Sequence, residues 1–75
     1  QQERQKLYAR HYSLTPREAE VLERLLTTDD DLQEIADSLY ISRRMVQRYV
    51  SSIYEKTETK TRLGLFQKYM NFTKK

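Results

Sequence analysis

The sequence predicts an all-α fold: a four-helix bundle-like domain that contains a helix-turn-helix. Three observations lead there. Breakers are nearly absent, with one Gly and one Pro in 75 residues, too few for the turns of a β-protein. Apolar residues recur at three- and four-residue spacing in four segments. Each segment opens on a Ser, Thr or Asp able to cap a helix.

Residues 1–13, QQERQKLYARHYS, are polar and show no clean apolar period. They read as a linker or a frayed helix, an N-terminal extension ahead of a domain over residues 14–72. His11 lies among Tyr8, Arg10 and Tyr12 with no second ligand or catalytic partner near it, so it reads as a surface residue. Thr15-Pro16-Arg17-Glu18 then starts the first predicted helix. Thr15 caps it, Pro16 suits the first helical position and Glu18 completes a capping box. Val21, Leu22, Leu25 and Leu26 give it one apolar stripe, while Glu18, Glu20 and Glu23 read as solvated charges. Thr27-Thr28-Asp29-Asp30 ends it.

Asp31-Leu32-Gln33-Glu34 is a second capping box. Leu32, Ile35, Ala36 and Leu39 form the apolar face of a helix of about two turns, too short to stand without neighbours. A tight connection through Ser38-Leu39-Tyr40-Ile41 follows, and Ser42 caps the third helix, predicted over 42–56. At about 100° per residue that helix divides in two. Met45, Val46, Tyr49, Val50, Ile53 and Tyr54 fall on one half; Arg44, Gln47, Arg48, Ser51, Ser52 and Glu55 fall on the other. Thr57–Lys60 is a polar break, Thr61 caps a last helix over 61–72, and residues 73–75 form a fraying tail. Leu63, Leu65, Phe66, Tyr69, Met70 and Phe72 cover nearly half of the last helix. Either it wraps the core edge, or part of it meets a second copy of the chain.

Composition removes several function classes. With no Cys and one His, a disulfide scaffold, a thiolate zinc site and any metal or other cofactor are not expected. No apolar run nears the roughly 20 residues that span a bilayer, and no signal peptide is expected. No nucleophile–base pair or Gly-rich phosphate loop is present, so catalysis is not expected. The charge is uneven. Residues 16–37 carry two basic and eight acidic side chains, net −6, while residues 38–75 carry nine basic and two acidic, net +7. A strongly basic half points to a polyanion, nucleic acid first.

Two helices joined by a short turn, the second basic and polar outward, match a helix-turn-helix. The major groove of B-DNA admits one α-helix. Arg pairs with guanine there, Gln with adenine, and Ser with either or with a phosphate. Ser42 and the helix N-terminus behind it suit a phosphate oxygen. A protein-interaction module is the alternative reading, resting on the broad apolar face of the last helix and the acidic first one.

Residues 14–70 resemble the C-terminal DNA-binding domain of LuxR-type bacterial transcription regulators, the LuxR/NarL/FixJ-like group. The resemblance runs through Leu14-Thr15-Pro16-Arg17-Glu18-Ala19-Glu20-Val21-Leu22, Glu34-Ile35-Ala36, Leu39, Ile41-Ser42, Val46, Ile53-Tyr54-Glu55-Lys56 and Arg62. It implies sequence-specific binding of double-stranded DNA, with helix 42–56 in the major groove and a homodimer formed through helix 61–72. It puts base contacts at Gln47, Arg48 and Ser51, and phosphate contacts at Gln33, Arg43, Arg44, Met45 and Lys56. The dimer contact is expected at Leu65, Tyr69 and Phe72, toward one edge of the last helix. It further implies an upstream sensor domain of the response-regulator kind or another, a contact with RNA polymerase, and a place in the cytoplasm or on the cytoplasmic face of a membrane.

The sequence departs from the family pattern in two places. The Gly that usually follows the first helix is Asp29, strained if left-handed, and the apolar residue after it is Asp30, which predicts a looser corner. The usual Thr-Val-Lys-x-His reads Met45-Val46-Gln47-Arg48-Tyr49, so a hydroxyl, a Lys and a His are replaced.

Overall fold

The computed structural model describes residues 2–73, and all its regular elements are helices: α1 (Gln2–His11), α2 (Pro16–Thr27), α3 (Leu32–Leu39), α4 (Arg43–Thr57) and α5 (Arg62–Thr73). α2 to α5 are the four expected helices. The expectation of a frayed tail falls on Lys74 and Lys75, outside the described residues.

The local signals act as read. Thr15 Oγ1 accepts from the Glu18 N–H while Glu18 Oε1 accepts from the Thr15 N–H at 2.9 Å, closing the first capping box. Asp31 and Glu34 close the second in the same reciprocal way, at 2.8 Å each. Ser42 Oγ accepts from the Met45 N–H at 3.1 Å, and Thr61 Oγ1 from the Gly64 N–H at 2.9 Å. Each contact satisfies an N–H that a helix start would leave open.

The core draws on every helix. Val21, Leu22 and Leu25 of α2, Ile35 and Ala36 of α3, Val46, Val50 and Ile53 of α4, and Leu65 and Tyr69 of α5 are buried together. α4 packs on both α2 and α3, so the helix-turn-helix pair is clamped from behind. This leaves the opposite side of α4 to solvent.

α1 adds to this core through Tyr8. Tyr8 is fully buried. Its ring meets Tyr69 edge-on at 5.0 Å and Phe72 at 5.2 Å, geometries that aromatic quadrupoles favour. α1 therefore packs against α5, and also against α2. Burial, aided by the neighbouring Tyr12 and Tyr69, pushes the Tyr8 phenol well above its ordinary value. Its hydroxyl finds no hydrogen-bond partner among the described residues. His11 is exposed, with its ring against Tyr12 and Phe72.

Two expectations at the corners are corrected. Asp29 is not left-handed; among the described residues the left-handed non-glycine ones are Ser13, Tyr40 and Glu58. All three close a helix C-terminus with the same pair of bonds, as when Ile41 N–H reaches Ala36 O at 3.0 Å and Tyr40 N–H reaches Asp37 O at 3.3 Å. The α2–α3 corner is not loose either. The Arg62 guanidinium reaches across from α5 and donates to Leu25 O at 3.1 Å, Asp30 O at 2.5 Å, Thr28 O at 2.5 Å and Arg24 O at 3.4 Å. A fork with five donors suits this end of α2, where carbonyls lack helical partners.

Candidate nucleic-acid interface

α4 builds the candidate interface. Its inward side buries Val46, Val50, Ile53 and Thr57. Arg44, Gln47, Arg48 and Ser51 are exposed on the other side, and Arg43 is exposed at the N-terminal end of the helix. Arg44, Gln47, Arg48 and Ser51 line one shallow concavity. None of the four side chains has a hydrogen-bond or ion-pair partner among the described residues. Donors left open on a rigid helix are what base edges and phosphates require. Gln47, Arg48 and Ser51, the expected base-reading residues, are thus brought together.

The expected phosphate residues divide. Ser42 and Arg43 stand exposed at the α4 N-terminus, where the helix dipole favours an anion. Gln33 is exposed near the start of α3, its Nε2 donating to Asp37 Oδ1 at 3.0 Å. Met45 is half-buried and its N–H already serves Ser42. Its thioether has no donor, so its expected phosphate role has no chemical group to carry it.

Lys56 also departs from expectation. Its ammonium donates to Glu18 Oε1 at 2.8 Å and to Ser13 O at 3.1 Å. Ser52 donates to the other Glu18 oxygen, Oε2. Glu18 is therefore no solvated charge: it is buried at the start of α2 and holds α4 from behind. Burial alone would raise its carboxyl. The hydrogen bonds from Lys56, Ser52 and the Thr15 N–H, with the Lys56 charge, outweigh that and hold it below its ordinary 4.5. Ser52 accordingly leaves the open half of α4 for the packed side.

The expected dimer residues Leu65, Tyr69 and Phe72 lie toward the core. Leu65 is fully buried and Tyr69 nearly so, and Phe72 is half-buried against Tyr8. Their apolar surface is largely covered within the chain, with the Tyr8 ring of α1 against Tyr69 and Phe72. The exposed apolar residues of α5 are Leu63, Phe66 and Met70, spaced as one ridge. Of the broad apolar face of α5, one edge closes the core and the other faces out. Composition could not separate the two edges, because the docking of α1 decides which is covered.

Among the described residues, no group of three or more His, Asp or Glu side chains is placed to hold a metal ion. No helix among them is long and apolar enough to cross a membrane.

Comparison with known proteins agrees with this geometry. Residues 12–68 match the family model described as bacterial regulatory proteins, luxR family. No curated protein and no solved structure matches the chain. The matched segment contains α2 to α4 and most of α5, with the helix-turn-helix at its centre. The chain belongs to the LuxR family, and its helix-turn-helix is the DNA-binding domain of a transcription regulator.

Proposed function

We propose that the chain binds double-stranded DNA sequence-specifically by laying α4 in the major groove. The observation that carries this is the ridge of exposed donors on α4, open on one side and clamped by α2 and α3 on the other. Gln47, Arg48 and Ser51 read base edges. Gln33, Ser42 and Arg43 hold phosphates on either side and fix the register. Two chains bind a two-fold site by pairing through Leu63, Phe66 and Met70, whose exposure supports that contact. As an output domain it answers to a sensor joined ahead of α1, works in the cytoplasm and touches RNA polymerase when it activates; these points rest on the family alone.

Fluorescence anisotropy of labelled duplexes over a salt series tests the proposal. Affinity should fall steeply with salt, because each neutralised phosphate releases counterions. Arg48→Ala should cost about 1–3 kcal/mol on a selected site and far less on random DNA. Binding to no duplex at any salt would defeat the reading. Sedimentation on a palindromic duplex tests the pairing, and a strictly monomeric complex would reject it.

A further inference from the structure

The side chains that share the α4 concavity carry more information than their charge. Arg43 and Arg44 are neighbours in sequence, both exposed, yet Arg44 lines the concavity with Gln47, Arg48 and Ser51. Successive residues turn by about 100°, so Arg43 points about 100° away from Arg44. Arg44, Arg48 and Ser51 lie within about 60° of one another, one above the next. At about 1.5 Å per residue, Arg44 and Arg48 stand roughly 6 Å apart along the axis, and Arg44 and Ser51 roughly 10.5 Å. With bases about 3.4 Å apart on a strand, the ridge covers three to four base pairs and separates the two arginines by about two.

We infer that Arg44 is a base-reading residue rather than a phosphate clamp, and that this ridge selects a purine-rich strand: a guanine for Arg44, an adenine for Gln47 and a second guanine for Arg48. The inference rests on α4 entering the major groove as proposed above. Its chemistry follows from the donors present. A guanidinium has only donors, and guanine offers O6 and N7 side by side as acceptors. A carboxamide matches the donor and acceptor of adenine N6 and N7. Cytosine needs an acceptor for its amino group, and the first acidic residue of α4 is Glu55, a full turn beyond Ser51. The N-terminal turns of a recognition helix are also the ones that approach base edges. Arg43, turned away from the ridge at the same end, is left for the phosphate.

Selection of bound duplexes from a random pool, with the whole chain and its variants, tests this. The unaltered chain should enrich a half-site with two guanine positions about two pairs apart and an adenine between them. Arg44→Ala should flatten one guanine position and leave the other, reducing discrimination there about tenfold to a hundredfold. Arg44→Lys keeps the charge and loses the fork, so it should weaken that position with an unchanged salt slope. Gln47→Arg should convert the adenine position to guanine. If Arg44→Ala weakens all duplexes by one factor, lowers the salt slope and leaves both guanine positions intact, the inference is overturned while the groove reading stands. If the unaltered chain enriches no motif, the groove reading falls, and the inference with it. Far-ultraviolet circular dichroism of each variant separates misfolding from lost recognition, since all the altered residues lie on the surface.

Discussion

The basic half of the chain contains two kinds of cation. Lys56 and Arg62 point into the molecule. Arg62 gathers carbonyls at the end of α2, and Lys56 closes an ion pair with buried Glu18. Arg43, Arg44 and Arg48 point out and have no partner among the described residues. Net charge treats the two sets alike, and the outer set gives α4 its positive face. The inner set fixes where that face lies, because both inner cations tie α4 or its supports to residues more than thirty positions away. Substitutions should therefore separate cleanly, inner ones changing stability and outer ones changing DNA binding.

Arg62→Ala should show the largest effect. It orphans part-buried carbonyls of Leu25, Thr28 and Asp30 and frees the corner that orients α3. Hydrogen bonds from a charged group contribute about 1.5–3 kcal/mol each, not additively. A total near 3 kcal/mol lowers the midpoint of a domain this size by roughly 12–24 °C. Arg62→Lys should recover only part, since an ammonium cannot fork among the carbonyls. Thermal melts followed by circular dichroism decide it. A loss below about 1 kcal/mol would show that the corner does not depend on Arg62.

Glu18→Gln comes next. It leaves the Lys56 ammonium beside an uncharged amide, and about 2 kcal/mol should be lost near neutral pH; Lys56 is a third exposed, which keeps the figure below that of a fully buried pair. The loss should depend on pH. The folded carboxyl titrates below its ordinary 4.5. Its contribution is therefore complete above 4.5 and disappears as the pH falls through the lower folded value. Urea melts of both chains should converge in acid. Curves that stay parallel throughout the acid range would mean that the carboxylate charge adds nothing.

What the sequence disclosed and what it hid follow from range. Caps, helix limits and the two-sided division of α4 depend on residues three or four apart, so spacing alone located Thr15, Asp31 and Ser42 and put Gln47, Arg48 and Ser51 on the open half, while the family resemblance singled those three out as base readers. The Lys56–Glu18 pair spans 38 positions and the Arg62 bonds 32 to 38, and no local period links residues so distant. Glu18 even satisfied a local pattern, the capping box, which concealed its second role. α1 escaped because its burial depends mainly on one aromatic residue, Tyr8, set in a polar segment, and one residue makes no stripe. For the same reason the covered edge of α5, with Leu65 and Tyr69, could not be told from the open one, with Leu63 and Phe66.

A smaller effect, of opposite sign, is expected at the turn between α3 and α4. Tyr40 is left-handed with φ 60° and is 94% exposed. An L-residue in that conformation costs about 1–2 kcal/mol, and the exposed ring regains little of it. Tyr40→Gly should stabilise the fold by about 0.5–1 kcal/mol, the entropy of a more flexible unfolded chain removing the rest. Glu58→Gly, at the equivalent place after α4, should act in the same direction. A destabilised Tyr40→Gly chain would mean that the ring makes a contact its exposure does not reveal.

The smallest effect tests the outer set directly. Arg48→Ala removes a side chain with no internal partner from the middle of α4, and Ala is the better helix former. Its melting curve should stay within about 0.5 kcal/mol of the parent, while its affinity for a selected duplex falls. Arg44→Ala should behave alike in the melt. If either substitution lowered stability as Arg62→Ala does, the outer arginines would be part of the fold and the division between the two sets of cations would fail. If both leave the melt unchanged, the positive face is a surface that the fold presents without needing it, and selection for DNA binding is the remaining physical reason for two adjacent arginines and a third one turn later on one short helix.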